Sequence, residues 1–343
     1  MKSFAFVTGI LAGLLFGIAT PFSKLLLAEL NSFQLAGLLY LGATLTFLPY
    51  VIKNYKREFN TIRQSRQKSS ILGIIIFGGL LGPVFLLFGL KSASSSSVSV
   101  WLNLELVSTA VIGVIFFKDH LDKPAVLGVI FALTAGVTVS FQEGFGAVIP
   151  GIFVGLACIC WGIDNHLTAL IDGASPQTIT FLKGIFAGSI NLFIGMLIGG
   201  ADIAVDILLL SLVVGTISYG FSIVLYVISA QHLGATRSQV LFSTGSFWGI
   251  LAAFLLLAEP INIYVVISIL LLALGIFWSN ILIHTHSHKH KKISHVHLHT
   301  HDEHHTHSHD QEVNDLPHTH LHDHNEQIHT HKHFPDLHHR HDH

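Results

Sequence analysis

Charge is what this sequence has least of. Lys, Arg, Asp and Glu together make up 11% of its 343 residues, where an ordinary soluble domain carries roughly 25%. The small net charge of −2 averages an apolar block with a polar tail, and it points to no nucleic-acid partner. Cysteine is nearly absent too: Cys158 and Cys160 are the only two, both inside an apolar segment. Positions two apart on a helix point about 200° away from each other, which makes them poor joint metal ligands and poor disulfide partners. Plain packing is the reading that remains. The chain has no nucleotide-binding motif, and nothing in it resembles a catalytic triad or a metalloprotease helix. A primary pump and an enzyme are both read out on that ground. Finally, no small-x-small cleavage site follows the apolar stretch Phe4–Thr20, so that stretch reads as a retained helix and not a secretory signal.

What is present is apolar length. Hydrophobic residues make up 51% of the chain, and long apolar runs recur from Phe4 to Ile283, the signature of an integral membrane protein. The runs predict ten spans, at 4–27, 33–52, 71–90, 97–117, 124–141, 148–171, 177–198, 206–229, 236–257 and 263–283. With the N-terminus in the cytoplasm, the inside carries Lys2, Lys53, Lys56, Arg57, Arg63, Arg66, Lys68, Lys118, Lys123 and Arg237, and the outside Lys91 alone. That bias sets the orientation. An even number of spans returns the tail to the cytoplasm, and the expected location is the cytoplasmic (inner) membrane.

The stretch Val98–Leu121, VSVWLNLELVSTAVIGVIFFKDHL, holds one acid, Glu105, deep within it. It has a degenerate copy, SQVLFSTGSFWGILAAFLLLAEPI. A shift of 140 lays Val100 on Val240, Asn103 on Ser243 and Asp119 on Glu259, with Gly245 at the position of Glu105. A shift of 145 lays Leu11–Leu27 over Leu156–Asp172, with Gly17 on Gly162 and Phe16 on Trp161. Two such halves of five spans each must enter the membrane from opposite sides, the inverted-repeat plan of secondary transporters. The expected fold is therefore all-α and integral to the membrane, with ten helices in two inverted five-helix repeats, 1–143 and 144–283, followed by a disordered tail, 284–343.

At these residues the chain resembles the drug/metabolite transporter superfamily, specifically the EamA-type ten-helix permeases. The matching pieces are LLFGIATPFSKLLL, the span NLELVSTAVIGVIFFKDHL, WGIDNHLT, and LGATRSQVLFSTGSFWGILAAFLLLAEPI. Each fourth span in that family typically ends in a Gly-Glu-Arg-like cap. Here the caps are Lys118-Asp119-His120 and Ala258-Glu259-Pro260, which keep the acid and lack the arginine; Leu106 stands where a proline often follows the acid. The resemblance implies a permease for small metabolites or drug-like solutes and leaves the solute open.

Glu105 is the first candidate for the chemistry, because an ionisable side chain within a span is a functional-site hypothesis by default. Either it couples a proton or binds a cation, or it makes a structural bond to Lys24 or Lys183. Asn103 and Thr109 are placed to share its face. Asp164 and His166, in the sixth span, either line the cavity or reach the cytoplasmic interface. Lys183 is deep enough in its span to pair with Asp164 or Glu105, whereas Lys24 snorkels. Trp101 and Trp248, with Tyr219, Tyr226 and Phe247, are candidates for stacking on an organic solute or for packing. Pro21 removes a backbone hydrogen bond from the first helix, as a hinge or a static kink.

After Ile283 the composition changes. Of 26 histidines, 23 lie in the last 60 residues. They are His284, His286, His288, His290, His295, His297, His299, His301, His304, His305, His307 and His309, then His318, His320, His322, His324, His329, His331, His333, His338, His339, His341 and His343. Neutral imidazole suits zinc, nickel, copper or cobalt, so the tail reads as a binder of divalent metal, with no cofactor otherwise required. Its alternating runs offer many overlapping weak sites and too few apolar residues for a core. A polycation responsive near pH 6 is the other reading of the same composition.

The expectation that follows is a secondary-active transporter working by alternating access, proton-coupled or an exchanger, with a regulatory metal-binding tail. Its partners would be membrane lipid, a small-molecule solute and divalent metal ions, in a monomer or homodimer. The alternatives are a divalent metal transporter fed by the tail, and a metal-responsive membrane sensor that transports nothing.

Overall fold

A run of apolar residues in lipid has to satisfy its own backbone, and within one segment only a helix does so. The computed structural model describes residues 2–64, 68–117, 123–171, 174–233 and 235–281, and in the tail 286–290, 293–299, 318–324 and 327–331. Up to residue 281 the regular structure is helical throughout. Among the described residues, eight helices are long and apolar enough to cross a membrane, and a shorter apolar helix spans Ile263–Trp278.

The first span is broken, with α1 (Lys2–Gly17) giving way to α2 (Ala19–Leu26). Next comes α3 (Ser32–Gln64), which outruns the expected 33–52. Its last turns, KNYKREFNTIRQ, are polar, but half of their residues are good helix formers and none is Gly or Pro, so the helix persists beyond its apolar part. At 1.5 Å per residue it is about 50 Å long, against a hydrocarbon core of roughly 30 Å. A short α4 (Lys68–Gly73) runs through a π-helical segment, Ile74–Leu81, into α5 (Gly82–Ser92). The opening of the fourth span, α6 (Ser95–Trp101), breaks before α7 (Leu104–Ile112). Then α8 (Lys123–Glu143) and α9 (Val148–Ala169) are joined by a tight turn at Gly144–Ala147. Gly144 sits there at φ +61°, a conformation that a side chain would oppose. Together α8 and α9 account for the 44-residue apolar stretch Val126–Ala169.

The second half repeats the pattern. It comprises α10 (Pro176–Gly199), α11 (Val205–Val214), a π-helical segment Gly215–Phe221, and α12 (Ser222–Leu233). The broken pair α13 (Ala235–Phe242) and α14 (Gly245–Leu257) follows, and α15 (Ile263–Ile281) ends the block. Both halves carry a π-helical segment in the third helix. In the first, the carbonyls it displaces are capped from other helices: Gly78 O accepts from the Tyr40 hydroxyl and from Trp161 Nε1 at 3.1 Å, and Leu80 O from Asn191 Nδ2 at 3.2 Å. Such segments recur at functional sites because they shift a helix face by one residue.

Packing partners are exchanged between halves. The helix pairs α5·α9 and α12·α1 are in contact, as are α7·α9 and α14·α1, while α3 and α10 pack on each other across the centre. Small residues allow the backbones to touch, as expected where no water drives association. A Cβ on Gly17 would come within 2.1 Å of Gly245 O. Gly17→Ala is therefore expected to lower the thermal midpoint in detergent, since overpacking costs about 1–3 kcal/mol. Gly155, with nothing within 4 Å of its Cβ position, should accept alanine without loss. Scanning fluorimetry of the two variants checks this, and equal midpoints would remove the proposed contact.

The chain forms two compact units, Met1–Leu282 and Ile283–His343. In the second, β1 (His286–His290) pairs antiparallel with β4 (Gln327–His331), and β2 (Ile293–His299) with β3 (His318–His324). The composition reading gave this segment no regular structure. Its His-x-His alternation nevertheless has the two-residue period of a strand, and that period is what pairs. The register sets His286 opposite His331, His288 opposite His329, His295 opposite His322, His297 opposite His320 and His299 opposite His318. The tail histidines at 284, 301, 304, 305, 307, 309, 333, 338, 339, 341 and 343 lie outside the described residues, as does the cap Lys118-Asp119-His120.

Candidate functional site

Three helix breaks meet inside the membrane block. In the first span, Pro21 has no N–H to offer the Gly17 carbonyl, and the helix divides at Ile18. In the fourth, the backbone tightens: Asn103 N donates to Val100 O and Glu105 N to Leu102 O, both at 3.0 Å. In the ninth, Thr244 N donates to Leu241 O and Ser246 N to Ser243 O, both at 3.2 Å. Each bond reaches back three residues where an α-helix reaches four. The pattern at residue 103 recurs at residue 244, one position beyond the residue pairing that the sequence alignment suggests. The two breaks are tied together, since Asn103 Nδ2 donates to Ser246 Oγ, which in turn donates to Ser99 O at 2.6 Å. Cys158, a buried free thiol, lies 3.7 Å from the Trp101 carbonyl freed at the first of them.

A cavity fills the meeting point. Its walls are Phe16, Gly17, Thr20, Ser99, Leu102, Asn103, Glu105, Gln239, Phe242, Ser243, Gly245 and Ser246. The open space is about 20 Å³, enough for roughly one water. Glu105 is buried at 6% exposure, and its Oε1 accepts from Asn165 Nδ2 at 2.9 Å. That same amide nitrogen lies 3.2 Å from Thr109 Oγ1 and 3.4 Å from Gln239 Oε1. One amide from the sixth span thus gathers the acid of the fourth and the glutamine of the ninth.

The other sequence candidates sit elsewhere. Asp164 is buried but turned away from the cavity, where its Oδ2 meets Lys183 Nζ at 2.7 Å. One residue is 100° on a helix, so Asn165 faces Glu105 while Asp164 faces α10. His166 is 1% exposed, with Nε2 2.8 Å from Thr109 O, and so neither lines the cavity nor reaches the interface. Trp101 packs in the core and its Nε1 donates to Ser140 Oγ at 3.0 Å and Gly136 O at 3.2 Å. Trp248 is 37% exposed and is not among the residues lining the cavity, whereas Ser246, two positions earlier and about 200° round the helix, is. Lys24 does not float at an interface. Its Nζ donates to Leu90 O at 2.7 Å and Ala93 O at 2.9 Å, closing the end of α5.

Phe16, Phe242, Thr20 and Gln239 were not singled out from the sequence. Gln239 carries a signal in retrospect, an amide inside an apolar span. The phenylalanines carry none, being two among 25.

The fold and cavity define a multi-pass membrane protein built from two related halves around an internal polar site. Residues 3–141 and 149–281 each match the EamA-like transporter family, and the chain belongs to it. An uncharacterized transporter of Methanothermobacter thermautotrophicus is 25% identical over 297 residues, covering 80% of this chain and 86% of that one. The uncharacterized transporter YyaM of Bacillus subtilis is 24% identical over 237 residues, covering 64% of this chain and 76% of its own. A solved crystal structure superposes with a TM-score of 0.62 at 15% identity, covering 82% of this chain and 97% of the other; that likeness is one of fold.

Proposed function

We propose that the protein is a secondary transporter that carries a small metabolite or drug-like solute through the cavity beside Glu105 by alternating access. The observation that carries this reading is the convergence of three helix breaks, at Ile18, Asn103 and Ser243–Thr244, on a cavity walled by a buried acid. Broken helices at mid-membrane are tolerated where they line a cavity, and transporters place solute and coupling sites there.

The reading takes the membrane block as ten crossings. Val126–Ala169, at 44 residues, would be about 66 Å as one rod, so the turn at Gly144 makes it two. The 19 residues of α15 supply the tenth. Five crossings per half then invert the second relative to the first, in accord with the exchanged helix pairs. On the bias of the positive residues named above, the reading puts both ends of the block in the cytoplasm. Glu105 is the coupling residue, for a proton or for the solute itself.

For the tail, the reading is reversible binding of zinc, nickel, copper or cobalt. Its support is a register that sets histidine opposite histidine five times.

Liposomes reconstituted with the full chain and loaded with a deproteinised cell extract test the transport reading. Wild-type liposomes should exchange a defined set of solutes, read by mass spectrometry, that Glu105→Gln and protein-free liposomes retain. Identical contents in all three would overturn it. A chain truncated after Ile283 should keep that exchange and lose the thermal response to zinc; loss of exchange on truncation would make the tail part of the pathway.

A further inference from the structure

Acceptors dominate the polar surface of the cavity; the remaining donors on its wall are the Gln239 amide, which bonds Glu105, and the Thr20 hydroxyl. Asn103, 2% exposed, turns its Nδ2 to Val100 O at 2.9 Å and to Ser246 Oγ. Its Oδ1 is then left buried with no hydrogen-bond partner among the described residues, an uncommon state for an amide oxygen. The serine hydroxyls of the wall have already placed their protons. Ser246 Oγ donates to Ser99 O at 2.6 Å, and Ser243 Oγ to Gln239 O at 2.8 Å, so toward the cavity each offers lone pairs. Glu105 adds a carboxylate. None of the residues lining the cavity is basic; the nearby Lys183 is held by Asp164. The remaining wall is aromatic, with the rings of Phe16 and Phe242 5.1 Å apart between centroids.

We infer that the solute carried by this protein bears an ammonium group, whose N–H donors bond Asn103 Oδ1 and the Glu105 carboxylate while its carbon body lies on Phe16 and Phe242. The inference rests on the transport reading above and adds the chemical class of the solute. An ammonium has three donors and no acceptor, the complement of the Asn103 and Glu105 oxygens. Aromatic faces attract a cation in a desolvated site. Space for about one water-sized group suits an ammonium head, whereas a carboxylate would be larger and would meet the charge of Glu105.

Three probes with one carbon body and different heads test this: butylammonium, butyrate and butyramide. Each is added to the purified full chain at matched ionic strength, and the thermal midpoint is followed as a function of concentration. Butylammonium should raise the midpoint saturably, with butyrate and butyramide inert. Glu105→Gln should weaken the apparent Kd for butylammonium at least tenfold. An equal shift from butyrate, butyramide or sodium alone overturns the inference. So does the absence of any shift. Extract exchange in liposomes separates the two levels: if it persists, transport stands and only the ammonium class falls, and if it is absent as well, both fall.

Discussion

Lys183→Met is expected to lower the thermal midpoint of the solubilised protein sharply, and adding Asp164→Leu is expected to recover most of the loss. The two side chains meet at 2.7 Å with 4% and 10% of their side-chain surface exposed. Removing the lysine leaves a carboxylate buried without its countercharge, which typically costs about 3–5 kcal/mol. Replacing both partners by apolar residues removes the desolvation problem along with the bond, and such swaps are often neutral or better. The fit is tight around Asp164, since a Cβ on Gly78 would come 2.3 Å from its carboxyl carbon. Leucine at 164 is bulkier than the aspartate it replaces, so some loss to crowding is expected, within about 1–3 kcal/mol. Midpoints of the two single variants and the double variant form a cycle. Additive losses would mean that the pair does not act as a unit, and the account of Asp164 as a packing ion, separate from the cavity, would fail.

That separation between Asp164 and Glu105 marks where sequence reasoning reached and where it stopped. The duplication was legible, because the pairing of Asn103 with Ser243 falls within one residue of a helix interruption in each half, and Gly17 over Gly162 marks a close contact in each. Glu105 was legible for a single reason, its charge in an apolar span. Its partner was not. Whether Asp164, Asn165 or His166 faces Glu105 depends on the rotation of α9 about its axis, and that rotation is set by the contact of Gly162 with Ser108 and Thr109 of α7. No local pattern encodes it. Tryptophans stood out as rare and amphipathic, yet the indole N–H of Trp101 is satisfied by Ser140 and Gly136. The cavity's aromatic wall uses two phenylalanines that look like any others. In the tail, composition argued against a core and was silent about ladders. The two-residue period that permits them is a property of order along the chain, not of content.

Glu259→Gln is expected to loosen one end of the membrane block and admit reagents to the cavity. After α14 the chain turns through Ala258 at φ +52°, which aims Glu259 across to the first half. There its Oε1 accepts from Ser95 N at 2.7 Å, and its Oε2 from Ser96 N at 2.8 Å and Ser96 Oγ at 2.6 Å. Glu143 accepts from the adjacent Ser94 N at 3.1 Å, and Lys24 closes the neighbouring end of α5. Five helix ends are thereby tied at one point, and alternating access toward that side requires the ties to break. Charge makes these bonds strong. Neutralising the acceptor while keeping its shape removes on the order of 2 kcal/mol, or about thirtyfold in the open population at 1.4 kcal/mol per tenfold. Thr20, on the cavity wall and 2% exposed, reports the opening. In a Thr20→Cys background, the rate of modification by a membrane-impermeant thiol reagent should rise about thirtyfold with Glu259→Gln. It should not change with Glu29→Gln, whose side chain is exposed and whose acid takes no part in these ties. Equal rates in all three proteins would make Glu259 a helix cap and no more. A rise with Glu29→Gln as well would mean that surface charge, and not the bonds to Ser95 and Ser96, controls access.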